Sequence, residues 1–186
     1  MILNEQSASK FIDGYKRLLL EIDAAQEQME EPPLLERLVA SRTRLTDEPS
    51  LLQKCVAALT RKSDPLDAEI VEAVESLKVK NWIFLRDTRT YSIFMDPEAT
   101  SAYAVVGLTD RLRDIVGGSG AVVEAGLVRY AGHFVCDGLI SSVVWLGRGY
   151  KADFTRAYAA IRAEGRFFRH SSTSQEPPDA SQATLA

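Results

Sequence analysis

Cysteine and histidine are scarce: the 186-residue chain has two of each, Cys55 and Cys136, His133 and His170. Two thiols in separate parts of a chain exclude a disulfide framework and a four-thiolate zinc site, and two histidines leave no histidine-rich metal centre. A basic excess is missing as well, since 22 Lys and Arg against 26 Asp and Glu give a net charge of −4. Affinity for duplex nucleic acid grows with the number of phosphates neutralised, so this balance argues against a protein that coats a duplex. Long hydrophobic runs are absent too. The longest uncharged apolar stretch runs from Gly138 to Gly147, far short of the ~20 residues of a spanning helix. Met1-Ile2-Leu3-Asn4-Glu5-Gln6 lacks the basic-then-apolar order of a signal peptide. With both cysteines free, these absences lead to the expectation of a cytoplasmic protein that holds no metal and no cofactor.

What is present is a chain 46% hydrophobic and 26% charged, long enough to bury a core without a covalent staple. Residues 1–79 read as helices. Ile12, Tyr15, Leu19 and Ile22 recur at helical spacing, and Glu31-Pro32-Pro33 ends that pattern because proline cannot continue a helix. Leu35, Leu38 and Val39 begin a second stretch, and Leu52, Cys55, Val56 and Leu59 line a third. Ser63-Asp64-Pro65 predicts the start of a fourth, with Asp64 as cap, Pro65 as first residue and Leu66, Ile70, Val74 and Leu77 inward.

From Asn81 the period changes to two, and residues 80–170 read as a mostly antiparallel sheet of five or six strands with a final helix. Trp82 to Leu85 and Tyr91 to Met95 form a hairpin across Asp87-Thr88-Arg89; Ala102 to Val106 is a third strand. Thr109-Asp110 predicts a short helix with Leu112, Ile115 and Val116 inward, closed by Gly117-Gly118. Strands follow over 121–130, 133–136 and 139–146, with Ala131-Gly132 and Asp137-Gly138 as tight turns. A helix over 150–164 comes last, with Phe154, Tyr158 and Ile161 inward and Gly165 as its stop. Residues 171–186 have no apolar period and are expected to be a disordered tail. Helices in one run followed by strands in another make the class α+β: about four short helices beside the sheet.

Chemistry-bearing patterns are few. Gly147-Arg148-Gly149-Tyr150-Lys151-Ala152 has the order strand, glycine loop, helix, so Gly147, Arg148, Gly149 and Lys151 form a candidate anion site at a helix N-terminus. A dinucleotide site would need a further parallel strand and an acid ~20 residues on, and neither follows. Gly117-Gly118-Ser119-Gly120 follows a helix and precedes a strand, the reverse of a phosphate loop, and reads as a cap and turn. His133 and Cys136 lie three apart in a strand, on opposite faces, which argues against a Cys–His nucleophile and for a buried Cys136. No G-x-S-x-G and no H-E-x-x-H occurs, and no catalytic residue is assigned.

Charge is unevenly divided. Residues 1–80 hold 11 basic and 15 acidic side chains, whereas 81–169 hold 11 and 9, all the basic ones arginine except Lys151. Arginine and aromatic residues are the types enriched where partners bind. Arg86, Arg89, Tyr91, Arg166 and Arg169 are therefore the candidate partner-binding residues. The expected function is a non-enzymatic intracellular binding or regulatory protein, acting on a protein partner or a second copy through its sheet half. An alternative is association with nucleic acid through an arginine and aromatic surface, including Arg166-Phe167-Phe168-Arg169-His170. A third is an enzyme using the Gly147–Ala152 anion site.

Overall fold

In the computed structural model, which describes residues 1–25 and 32–170, the class is α+β: helices come first, then a mixed but mostly antiparallel sheet, then a helix. The expected tail, 171–186, lies outside the described residues. No helix among the described residues is long and apolar enough to cross a membrane.

Four helices lead: α1 (Glu5–Ala24), α2 (Leu34–Asp47), α3 (Ser50–Arg61) and α4 (Ala68–Glu75). The Asn4 side chain caps α1 by accepting the Ser7 amide at 2.9 Å, satisfying one of the donors a helix start leaves unpaired. The fourth helix corrects the sequence reading. It begins at Ala68 with Asp67 in the capping position, while 64–67 forms no helix and Asp64 instead pairs with Arg17 of α1. The buried face of α2 is also not the expected one. Leu35 is exposed, and Ser41, Arg42 and Leu45 point inward.

Seven strands follow: β1 (Lys78–Asp87), β2 (Ser92–Met95), β3 (Ala102–Val106), β4 (Ala121–Tyr130), β5 (His133–Cys136), β6 (Ser142–Trp145) and β7 (Phe167–Phe168). β1 pairs with β2, β2 with β3, β3 with β5, β5 with β4, and β4 again with β1. The ring closes in the order 1-2-3-5-4-1. All its pairings are antiparallel except β3 with β5. A register shift between Phe84 and Arg86 lets β1 bend from one neighbour to the other. β7 adds alongside the first half of β3, in parallel.

The barrel explains why β1, β2 and β3 read as unbroken apolar runs: both faces are covered. Trp82, Phe84, Phe94, Tyr103, Val105 and Val123 fill the interior, and Leu112 and Val116 of α5 (Leu112–Val116) join that cluster. Ile115 does not point inward as expected; it is exposed. Gly117 ends α5 in the left-handed region at φ 86°, the conformation that favours glycine after a helix. Outside the barrel, Ile83, Leu85, Ile93 and Met95 meet Tyr158 and Ile161 of α6 (Arg148–Ala163). On the β3–β5–β4 side, Val106, Val128, Tyr130 and Val135 share a core with Phe11, Leu18 and Ile22 of α1 and Ile70 of α4.

The two proposed tight turns part company. Ala131 and Gly132 both take positive φ, 50° and 75°, and join β4 to β5 as the right-handed sheet twist requires. Asp137-Gly138 is no hairpin turn, because β5 and β6 do not pair with each other and both lie along β4. The chain instead steps out over 137–141 and returns to the same edge.

Candidate interaction surfaces

The step over 137–141 is held by a buried ionic cluster that the sequence did not disclose. Arg42 and Asp137 are fully buried and face each other, Nη1 to Oδ2, at 3.2 Å. The other carboxylate oxygen of Asp137 accepts the amides of Gly126 at 3.2 Å and Leu139 at 3.1 Å. Arg42 also donates to the Leu139 carbonyl and to the Ser141 hydroxyl at 3.3 Å, and lies 3.5 Å from Glu124. Tyr15 of α1 donates to Asp137 at 3.5 Å. A side chain on Gly126 would collide with the Asp137 carboxylate, so that glycine gives the cluster its room. Burial pushes the Asp137 carboxyl up, against the opposing pull of Arg42 and of the two amides. Burial, with Asp137 adjoining, pushes the Cys136 thiol up to about 12. A thiol in that state is inert at neutral pH. With both members of the pair enclosed by protein, the cluster ties helix α2 to the barrel.

Immediately after it, the rule of apolar-inside reverses. All four residues of β6 are exposed, with Val143 at 40%, Val144 at 59% and Trp145 at 54%. Ile115 at 46% and Tyr150 at 68% are the other large exposed hydrophobic side chains of this half. β6 pairs with β4 through Ala121↔Trp145, Val122↔Val144, Val123↔Val143 and Glu124↔Ser142. It has no strand partner on its other edge among the described residues. Trp145 lies over Gly118: a Cβ there would sit 2.9 Å from the indole ring. Glycine at 118 thus lets the ring approach the loop after α5 this closely. Strand alternation puts Val143 and Trp145 on one face and Val144 on the other, so both faces present apolar surface.

The candidate anion residues flank this strand. Gly147 is the capping residue of α6 and makes no side-chain cap, Arg148 and Gly149 are exposed, and Lys151 lies along Gly120 with its ammonium 3.5 Å from the Ser119 carbonyl. Of the described grooves, one of about 530 Å³ runs between α4 and the β4–β5 turn, lined by Glu69, Glu72, Glu75 and Arg129. Another of about 260 Å³ lies among α2, α3 and α4. Neither reaches Arg148 or Lys151. Among the described residues no group of three His, Cys, Asp or Glu converges to hold a metal.

Three of the five candidate partner-binding residues do come together. The Arg169 guanidinium lies 5.7 Å from the rings of both Tyr91 and Phe167, and Phe167 stands edge-on to Tyr158 at 5.4 Å. Arg162 lies 5.9 Å from the Tyr158 ring. Burial raises the Tyr158 phenol, Tyr91 adds to this, and Arg162, Arg86 and Arg169 pull it back, which places Arg86 in the same neighbourhood. Arg89 is exposed in the β1–β2 turn. Arg166 is occupied otherwise, donating to the Glu164 carboxylate at 2.9 Å and to the Thr100 carbonyl.

Comparison with family models, with curated proteins and with solved structures gave no match in any of the three.

Proposed function

We propose that the protein is a non-enzymatic binding or regulatory protein that acts through contacts of its sheet half. The observation that carries this reading is β6: an edge strand with Val143, Val144 and Trp145 in solvent. An open edge is a template for another strand, and sheets ordinarily blunt it with charge, proline or a bulge. Serine, two valines and tryptophan supply none of these; shortness is the strand's sole restraint. Contiguous apolar surface of this kind marks protein–protein contact sites. A photo-crosslinking residue at Val144, compared with one at Glu72 of α4, tests it in the native extract. Adducts at 144 that vanish with a neighbouring Trp145→Glu change support the reading. Adducts confined to residues 1–79 refute it.

A second reading rests on the cluster of Arg86, Arg162 and Arg169 around Tyr91, Tyr158 and Phe167, beside the β1–β2 turn of the barrel. Arginine with aromatic rings suits single-stranded nucleic acid, which binds by phosphate contact and base stacking. Two features weigh against it. Tyr158 is buried, and the outer face of β1 and β2 is covered by α6. Titration with a labelled single-stranded oligonucleotide checks it: binding must weaken with salt and with Arg86→Glu plus Arg169→Glu.

A further inference from the structure

Resting on the binding reading above, we infer that the occupant of the β6 edge is β6 of a second copy, paired antiparallel about a two-fold axis. Three observations converge on self-pairing. First, β6 already runs antiparallel to β4, so a second antiparallel strand continues the sheet without a change of pairing type. Most oligomers close by a two-fold, which demands a self-complementary patch. Setting two copies of β6 antiparallel about a two-fold at residue 144 brings Val144 opposite Val144 of the other copy and Val143 opposite its Trp145, each pair on one face as the strand period requires. The central pair is then valine on valine, flanked by valine on tryptophan, β-branched and aromatic pairings that stabilise adjacent strands.

Second, the charges at the ends of β6 complement each other only in this orientation. Glu124 stands beside Ser142 with its side chain 38% exposed. Arg148 and Lys151 follow Trp145, and neither has a carboxylate partner among the described residues. The two-fold carries the Glu124 end of each copy to the Arg148 and Lys151 end of the other. A parallel arrangement would instead stack Arg148 and Lys151 on their own copies, and like charges in apposition repel.

Third, the strand has the make-up of an interface centre. Val143, Val144 and Trp145, 40%, 59% and 54% exposed, form one apolar stretch along the open edge, and Glu124, Arg148 and Lys151 stand at its ends as a polar rim, the arrangement of an apolar centre within a charged margin that protein interfaces share.

Sedimentation and light scattering on the full chain, from micromolar to hundred-micromolar concentration, test the pairing. The expected result is a species of twice the 20.6 kDa chain mass. Val144→Lys puts two ammonium groups at the centre of the seam and should shift the midpoint of dimerisation at least tenfold, with the circular dichroism spectrum unchanged. Val144→Ile should leave the dimer intact. Arg148→Glu with Lys151→Glu should weaken it severalfold through the lost complementarity with Glu124. A parent chain that stays monomeric throughout, or a dimer that survives Val144→Lys, overturns the self-pairing. Monomeric protein that nonetheless yields Trp145-dependent adducts at 144 overturns self-pairing alone and keeps the binding reading; absence of both overturns the two together.

Discussion

Two short stretches leave β5 one after the other and invert the usual distribution of residues. Residues 137–141 carry an acid and a serine, yet Asp137 is buried against Arg42; residues 142–145 carry two valines and a tryptophan, yet stand in solvent. Hydropathy therefore decided neither stretch. Asp137 is buried because every acceptor it has is used, by a guanidinium, two amides and a phenol, and satisfied polar groups are the ones that interiors tolerate. β6 is exposed because β4 alone pairs with it, and its faces are only partly covered, Trp145 by the loop at Gly118. The first stretch is organised for folding and the second, on the reading proposed above, for contact. That division is open to direct attack.

The largest effect is expected at the ionic cluster. Arg42→Met leaves the Asp137 carboxylate buried without its cation, a change that costs about 3–5 kcal/mol in comparable buried pairs. Adding Asp137→Asn should restore a good part of this, because the amide oxygen still accepts from Gly126 and Leu139 while no uncompensated charge remains. Urea denaturation of the two single variants and the double one measures the cycle. A double variant as unstable as the sum of the singles would show that the pair acts through separate contacts.

The chain's two tryptophans sharpen the same contrast. Trp82 lies inside the barrel and donates its indole N–H to the Ala125 carbonyl at 3.1 Å. Trp82→Ala should cost about 3–5 kcal/mol, the range for emptying a buried aromatic site. A loss well under that range would mean that the barrel interior collapses around the gap.

A smaller, pH-dependent effect follows from Asp137. Its carboxyl is raised by burial, so the folded chain binds that proton more tightly than the unfolded chain. For this group, stability is lost as pH rises from the ordinary carboxylate range through the folded value, the reverse of a salt-bridged surface acid. Removing Arg42 takes away the main influence holding the group down, so it must rise further. The deficit of Arg42→Met relative to the parent should shrink on going from about pH 8 to about pH 5, by about 1.4 kcal/mol for each further unit of rise. A deficit independent of pH would place the damage in packing and not in charge.

How much of this was legible in the chain depends on the range of the forces involved. α1, α3 and α6 follow from local periodicity, and the β1–β2 and β4–β5 hairpins from turn residues and alternation. The segment 166–170, read from its sequence as a nucleic-acid contact, places Phe167 and Phe168 on the sheet as a short strand beside β3. Closure of the barrel was not legible. It rests on β1 with β4 and β3 with β5, pairings between residues far apart in sequence that leave no periodic mark. Asp137-Gly138 misled because the dipeptide that favours a hairpin turn here serves an acid drawn inward by an arginine 95 positions away. Arg42 was passed over for the same reason: nothing in α2 itself distinguishes a buried arginine from a solvated one. β6 was read correctly as strand but not as exposed, since an uncharged run looks the same whether it is covered or is waiting to be covered. Of the arginine and aromatic candidates, Arg86, Tyr91 and Arg169 converge, and that convergence was created by β7 folding back beside β3.

The smallest change in stability is expected where the largest change in association is sought. Val144 is more than half exposed and its neighbours across β4 are Val122 and the open solvent, so Val144→Lys should alter unfolding free energy by less than ~0.5 kcal/mol, as exposed substitutions generally do. The same variant should abolish a spectroscopic signal in the parent. Trp82 is already enclosed, so its emission does not respond to association, whereas Trp145 would pass from water to an apolar seam as the strands pair. Emission of the parent should therefore move to shorter wavelength with rising concentration. Trp145→Phe should remove that shift by removing its source, and Val144→Lys should remove it while leaving the low-concentration spectrum in place. A shift that persists with Val144→Lys would locate the contact elsewhere on the barrel. A stability loss of several kcal/mol in that variant would mean that β6 belongs to the folded core after all, and that the contrast between the two stretches is one of degree.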